Sequence, residues 1–110
     1  MSSIYHLRGR IGAVKPPYTL TNGRVVREVI VEQEVETTHR IQPVPIHFSG
    51  RNADLAERLG IGDLVDIGFG VAGRVYHAAD GTSRHAVRLY GLSVDIILAD
   101  KIISGSEAVR

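Results

Sequence analysis

Val44-Pro45-Ile46-His47-Phe48-Ser49-Gly50, then Asn52 to Leu59, then Gly60-Ile61-Gly62-Asp63-Leu64-Val65-Asp66-Ile67 form the stretch from which the rest of the chain is read. Residues 40–48 alternate as a strand does. Pro43 and Pro45 lie two apart, so their missing N–H groups belong to one flank of that strand, which cannot carry a full ladder. That flank is expected to be free or bulged. Residues 52–59 are the only good helix: Asn52 can cap it, Asp54 sits in its first turn and Gly60 can end it. Leu55 and Leu59 are four apart and share a face. Two turns of helix are not stable alone, so this one must plug a larger structure. Gly62-Asp63 then turns the chain into a further strand, 64–77.

Working outward, the same period recurs. Residues 4–14 place Leu7, Ile11 and Ala13 on one face and His6, Arg8 and Arg10 on the other. Pro16-Pro17 ends that strand, and Asn22-Gly23 signals a type I′ hairpin turn. Residues 25–36 put Val29, Val31 and Val35 opposite Glu28, Glu32 and Glu34, and Thr37 to His39 make a second turn. In 64–77, Val65, Ile67, Phe69 and Val71 face one way. Gly68, Gly70 and Ala72 face the other, a flat surface open to a bend, a ligand or a second subunit. Asp80-Gly81 marks another hairpin, and residues 83–98 form the last strand, nearly continuous in apolar residues toward its end. Such a run predicts burial on both faces there. The tail 99–110, with Ser104-Gly105-Ser106, is expected to fray. Three strands, a short helix and two more strands is the order of an OB-fold. This predicts a mainly β, five-stranded Greek-key barrel over residues 1–98 with one short helix between its third and fourth strands.

Composition bounds the function. A chain of 110 residues makes one domain, with 44% hydrophobic and 23% charged residues, as in soluble globular proteins. No apolar run reaches the length of a membrane span. There is no cysteine, which removes disulfides, thiolate nucleophiles and Cys-based zinc sites. With no apolar leader at Met1 to His6, a cytoplasmic setting is expected. Net charge is only +1, so any nucleic-acid role must come from charge placement.

Placement is uneven. Residues 1–27 carry Arg8, Arg10, Lys15, Arg24 and Arg27 and no acid, whereas Glu28, Glu32, Glu34 and Glu36 follow within nine residues. A second basic group is Arg74, Arg84 and Arg88, and eleven of the thirteen basic residues are arginine, whose planar fork suits phosphate and whose flat face suits stacking. An OB-fold binds oligomers across its second and third strands, walled by the loops after strands one and four. Those loops, about 15–24 and 77–84, bring Lys15, Arg24 and Arg27 toward Arg74, Tyr76 and Arg84. Tyr18 and Tyr76 are the candidate stacking rings. Glu32, Glu34 and Glu36, if they line the outer face of the second strand, repel phosphate there, and so either narrow the path or mark a different use of the barrel.

Other chemistry finds no support. Gly68-Phe69-Gly70-Val71-Ala72-Gly73 matches a dinucleotide fingerprint, but no helix follows it and no βαβ unit surrounds it. His6, His39, His47, His77 and His85 show no metal-ligand spacing. No nucleophile elbow is present. Neither enzymatic activity nor a cofactor or metal is expected.

The Val44–Gly50, Ala53–Leu59 and Gly60–Ile67 runs, with Gly73-Arg74-Val75-Tyr76 and Asp80-Gly81-Thr82-Ser83-Arg84, resemble bacterial single-stranded-DNA-binding proteins and small OB-fold proteins related to them. The resemblance covers about residues 4–98. It implies a non-catalytic binder of single-stranded DNA or RNA with low sequence preference, an accessory of replication, repair or recombination, working as a dimer or tetramer. The chain departs from that family in having no Trp and in closing on Ser106 to Arg110 rather than on an acidic, Phe-terminated tail. A protein-interaction or assembly module that kept the barrel and lost the nucleic-acid surface is the alternative.

Overall fold

Five long strands and one very short one build most of the region that the computed structural model describes, residues 3–35 and 40–99. They are β1 (Tyr5–Val14), β2 (Tyr18–Thr19), β3 (Val25–Val35), β4 (Arg40–Ser49), β5 (Leu64–His77) and β6 (Ser83–Leu98). A 3₁₀ turn (Gly50–Asn52) running into α1 (Ala53–Ala56) joins β4 to β5. β1 pairs antiparallel with both β3 and β5, β5 with β6, and β3 with β4. β4 and β6 meet in parallel at His47 and Tyr90, which closes the sheet into a barrel. This is the OB-fold expected, mainly β, with its helix between the third and fourth long strands.

Strand alternation fills the barrel. Ile11, Val29, Val31, Ile46, Phe48, Val65 and Ile67 are fully buried, and Leu7, Ala56, Leu59 and Val94 complete their cluster. Each large side chain contributes about 1.5–3 kcal/mol by leaving water. Leu55 and Leu59 both reach this cluster, so the short helix does plug the barrel. The turn after it is clamped on both sides. Gly60 donates to the buried Asp63 carboxylate at 2.8 Å, Ile11 donates to the Asp63 carbonyl, and Gly62 donates to the Ile11 carbonyl.

The Pro43 and Pro45 expectation holds. β4 pairs with β3 along its whole length, with Pro43 opposite Glu32 and Pro45 opposite Ile30. On its other flank β4 touches a strand only at His47, beyond both prolines, among the described residues.

Several details differ from the sequence reading, each for a local reason. A bulge at Gly12 adds one residue to β1 between Ile11 and Ala13, so Val14 rather than Ala13 packs on the core. Both hairpins use longer loops than a type I′ turn. Gly23 donates to Leu20, Leu20 to Arg24, Gly81 to Ala78, and Ala78 to Thr82, with Gly23 at φ +86 and Gly81 at φ +85. These are three-residue loops with a left-handed glycine, in which Asn22 and Asp80 each accept from the backbone two residues on. The helix is shorter than 52–59, and Asn52 stands at its N-cap position without a capping hydrogen bond from its side chain. Asn52 is itself helical and its amide donates to the Gly91 carbonyl instead.

Gly68 and Gly70 do not form an open flat surface. A methyl at Gly68 would lie 2.3 Å from the Ser93 hydroxyl, and one at Gly70 would lie 2.3 Å from the Tyr90 ring, so both backbones are roofed by β6 side chains. The end of β6 is not buried on both faces either: Ile96, Ile97 and Leu98 stay exposed because β6 has only β5 beside it there, among the described residues. The Thr37–His39 turn and the tail beyond Ala99 lie outside the described residues.

Phe48 packs against bare backbone in the core: a methyl on Gly91 would sit 2.1 Å from Phe48 Cε2. Gly91→Ala is therefore expected to destabilise the fold by about 1–3 kcal/mol in urea unfolding, and Phe48→Leu in the same chain should restore part of the loss. An unchanged midpoint for Gly91→Ala would show that this contact does not constrain the barrel.

Candidate nucleic-acid interface

Directly opposed residues of an antiparallel pair share a face. β1 stops pairing with β5 at Tyr5 and Phe69, so β5 and β6 continue beyond the barrel as a two-stranded arm. Along it Tyr76 opposes Arg84, Arg74 opposes Ala86, Ala72 opposes Arg88, and Gly70 opposes Tyr90. Register alone thus places three arginines and two tyrosines on one face. The small Ala72 and Ala86 leave an open cavity of about 270 Å³ between Arg74 and Arg88. Neither of these two arginines makes a hydrogen bond or ion pair among the described residues. At the tip Arg84 reaches Asp80 at 3.4 Å, and the Thr82 hydroxyl, ahead of its N–H and of Arg84, holds the Asp80 carboxyl below its usual range.

The arm's face runs onto the barrel. Tyr90 is paired with His47, and His47 is opposed to Glu28 on the outside of β3. Glu28 joins two side chains: Lys15 Nζ at 2.6 Å and His47 Nε2 at 3.0 Å. The Lys15 hydrogen bond is the main cause holding the Glu28 carboxyl below its ordinary value, against the opposing effect of burial. Burial first, then the nearby Arg88 charge, pushes His47 down, while Glu28 pulls it up. Its Nδ1 lies buried toward the Leu89 backbone, outside good hydrogen-bond geometry. The acidity of this part of the second long strand is answered locally, so Glu28 does not present a bare carboxylate to a phosphate chain.

The sequence-predicted cations separate into three neighbourhoods. Arg74, Arg84 and Arg88 share the arm with Tyr76. Arg24 and Arg27 lie by the helix-plugged end: the Arg24 guanidinium crosses Gly50, while Arg27, with its side chain only 18% exposed, donates to the Lys15 carbonyl and to Glu57 at 2.5 Å. Arg27 ties the first loop and β3 to the helix. Arg8 and Arg10 stand outside β1, where Arg8 opposes Asp66 and Arg10 opposes Glu32, and Arg10 donates to the Gly62 carbonyl at 2.9 Å. Tyr18 sits exposed on β2, a strand where the sequence reads as loop. Lys15 links the first loop to the outer barrel face through Glu28. Sequence reasoning misses Tyr90 and His47, although the alternation Arg84, Ala86, Arg88, Tyr90 carries the signal for the first. Among the described residues there is no His, Asp or Glu cluster fit for a metal, and no helix is long and apolar enough to cross a membrane.

No protein-family model matches the chain, and no curated protein matches it. Solved structures do. A crystal form of the mitochondrial single-stranded DNA binding protein Rim1 from S. cerevisiae superposes with a TM-score of 0.71 at 18% identity, covering 90% of this chain and 98% of that one. A second form of the same protein gives 0.70 at 16% identity, covering 90% and 99%. At such identity the likeness establishes a shared OB fold.

The pKa directions predict how stability responds to acid. Both His47 and Glu28 are shifted down on folding, so the unfolded chain takes up protons first as the pH falls. His47's contribution is complete above the ordinary imidazole value of about 6.5 and is lost from there downward; Glu28's is lost below its ordinary carboxylate range. The urea midpoint should fall between about pH 7.5 and about pH 5, and His47→Gln should flatten that fall. An equal slope in wild type and variant would contradict the assignment.

Proposed function

We propose that the protein binds single-stranded nucleic acid, DNA before RNA, as a non-catalytic module with low sequence preference. The observation that carries this is the arm face, where Arg74, Arg84 and Arg88 alternate with Tyr76 and Tyr90 and lead onto His47 and Lys15 at the outer wall of the barrel. Cations follow the backbone and rings stack on bases, which is what a sequence-tolerant single-strand binder requires. The fold likeness to a single-stranded DNA binding protein supports the reading. Arg8, Arg10 and Tyr18 flank the path, while Arg24 and Arg27 chiefly hold the barrel together. A kinship with bacterial single-stranded-DNA-binding proteins and an accessory place in replication, repair or recombination in the cytoplasm go with this reading.

One observation favours an assembly role beside it. The arm's opposite face exposes Val71, Val75 and Val87, the last at 70%. Apolar residues on a ribbon with free edges favour a homo-oligomer, a dimer or tetramer.

Titration of fluorescent oligo-dT at several salt concentrations tests the function. Affinity should fall steeply with salt, and Arg74→Ala and Arg88→Ala should each lower the logarithmic slope by about 0.7. Tyr76→Ala should cost about 1–3 kcal/mol of binding. No binding at low salt by a protein that sediments as a dimer or tetramer would discard the nucleic-acid reading in favour of assembly.

A further inference from the structure

A second cavity lies on the outer face, at the other end of β3 from the arm. It is open, about 380 Å³, and is walled by Arg8, Arg10, Glu32, Ile41 and Leu64. Arg10 and Glu32 are directly opposed across β1 and β3, a position where opposite charges normally pair. Here they do not. The Arg10 guanidinium is turned onto the Gly62 carbonyl, and the Glu32 carboxylate lies over the backbone of Gly12, where a methyl would come within 2.8 Å of it. Arg8 and Glu32 make no hydrogen bond or ion pair among the described residues. Ile41, at 61% exposure, packs nothing in the core. An unspent donor fork, an unspent carboxylate and apolar side chains thus share one open cavity with room for a nucleobase.

We propose that this cavity is a base-reading pocket that takes guanine. The inference rests on the nucleic-acid reading above and adds a preferred base at one point of the path. Guanine alone among the bases offers two adjacent N–H donors, N1 and N2, beside two adjacent acceptors, O6 and N7. Glu32 accepts from the donor edge and Arg8 donates to O6 and N7, as arginine does to guanine elsewhere. Leu64 and Ile41 lie against the ring, and Arg10, anchored on Gly62, meets the neighbouring phosphate. Adenine sets an amino donor where guanine has O6, facing Arg8. Thymine offers Glu32 one N–H between two carbonyl oxygens.

The test compares oligo-dT with the same oligonucleotide carrying one central dG, dA or deoxyinosine. The dG oligonucleotide should bind about 5- to 150-fold tighter than oligo-dT. Deoxyinosine, which lacks the N2 amine, should lose most of that gain, and dA should show none. Glu32→Gln should abolish the guanine gain and leave oligo-dT binding as tight or tighter, and Arg8→Ala should reduce the gain as well. Oligo-dT binding with no gain for dG overturns the pocket and leaves the general function intact. If no oligonucleotide binds, the general function fails, and titration with guanosine monophosphate decides the pocket separately. Shifts of the Ile41 and Leu64 methyl resonances keep it, and their absence ends it.

Discussion

The contact between the Phe48 ring and the bare backbone of Gly91 sets the geometry of everything outside the barrel. β4 and β6 touch as strands at a single bridge, His47 with Tyr90, and that bridge requires β6 to come close to β4 just where Phe48 fills the core. A side chain at position 91 would hold the strands apart. Because the neighbouring residue is glycine, Phe48 stays inside and Tyr90 turns out, onto Gly70 and beside His47. Closure of the barrel and continuity of the arm's basic face with its outer wall thus come from one packing event. Interiors are dense enough that such a close approach has few alternative solutions.

The arginines divide between holding the fold and facing outward. Arg27 is nearly enclosed and spans β3, the first loop and the helix, so its charge is committed to Glu57 and to a carbonyl. Among the described residues, Arg74 and Arg88 lie on a ribbon whose charges are not matched by acids, apart from the Asp80 contact to Arg84 at the tip. Glu28 is enclosed by Lys15 and His47. Glu32, one of the acids that in the sequence weigh against a phosphate-binding face, has no such partner among the described residues. The two ends of β3 therefore present different electrostatics on the same outer surface, a neutralised end near the arm and an end with free charges of both signs.

Much of the architecture is legible because alternation and turn residues report directly on strands. Among the described residues, the expected spans 4–14, 25–36, 40–48, 64–77 and 83–98 fall on β1, β3, β4, β5 and β6, within a residue or two of their ends. The doubled proline in β4 announces its bare flank. The Gly12 bulge is not legible, because one inserted residue leaves the local pattern intact and shifts only the phase of the residues beyond it. The Asn52 cap fails because a 3₁₀ turn begins ahead of it and draws the side chain toward Gly91. For the site, sequence names the arm's arginines and Tyr76 but not which cations the fold uses up. Arg27 and Arg88 look alike in sequence, and the positions of Glu57 and of the Lys15 carbonyl separate them. Tyr90 reads as one of its apolar neighbours, although strand period sets it apart from Leu89 and Leu92.

The central claim is that one continuous outer face, from the arm through Tyr90 and His47 to Glu28, receives a single strand. Backbone amide shift mapping of isotope-labelled protein with oligo-dT tests it most directly. The account predicts that perturbations track residues 72–76, 84–90, His47 and Glu28, and spare α1 at the plugged end of the barrel. Perturbations centred on α1, with the arm unmoved, would contradict it.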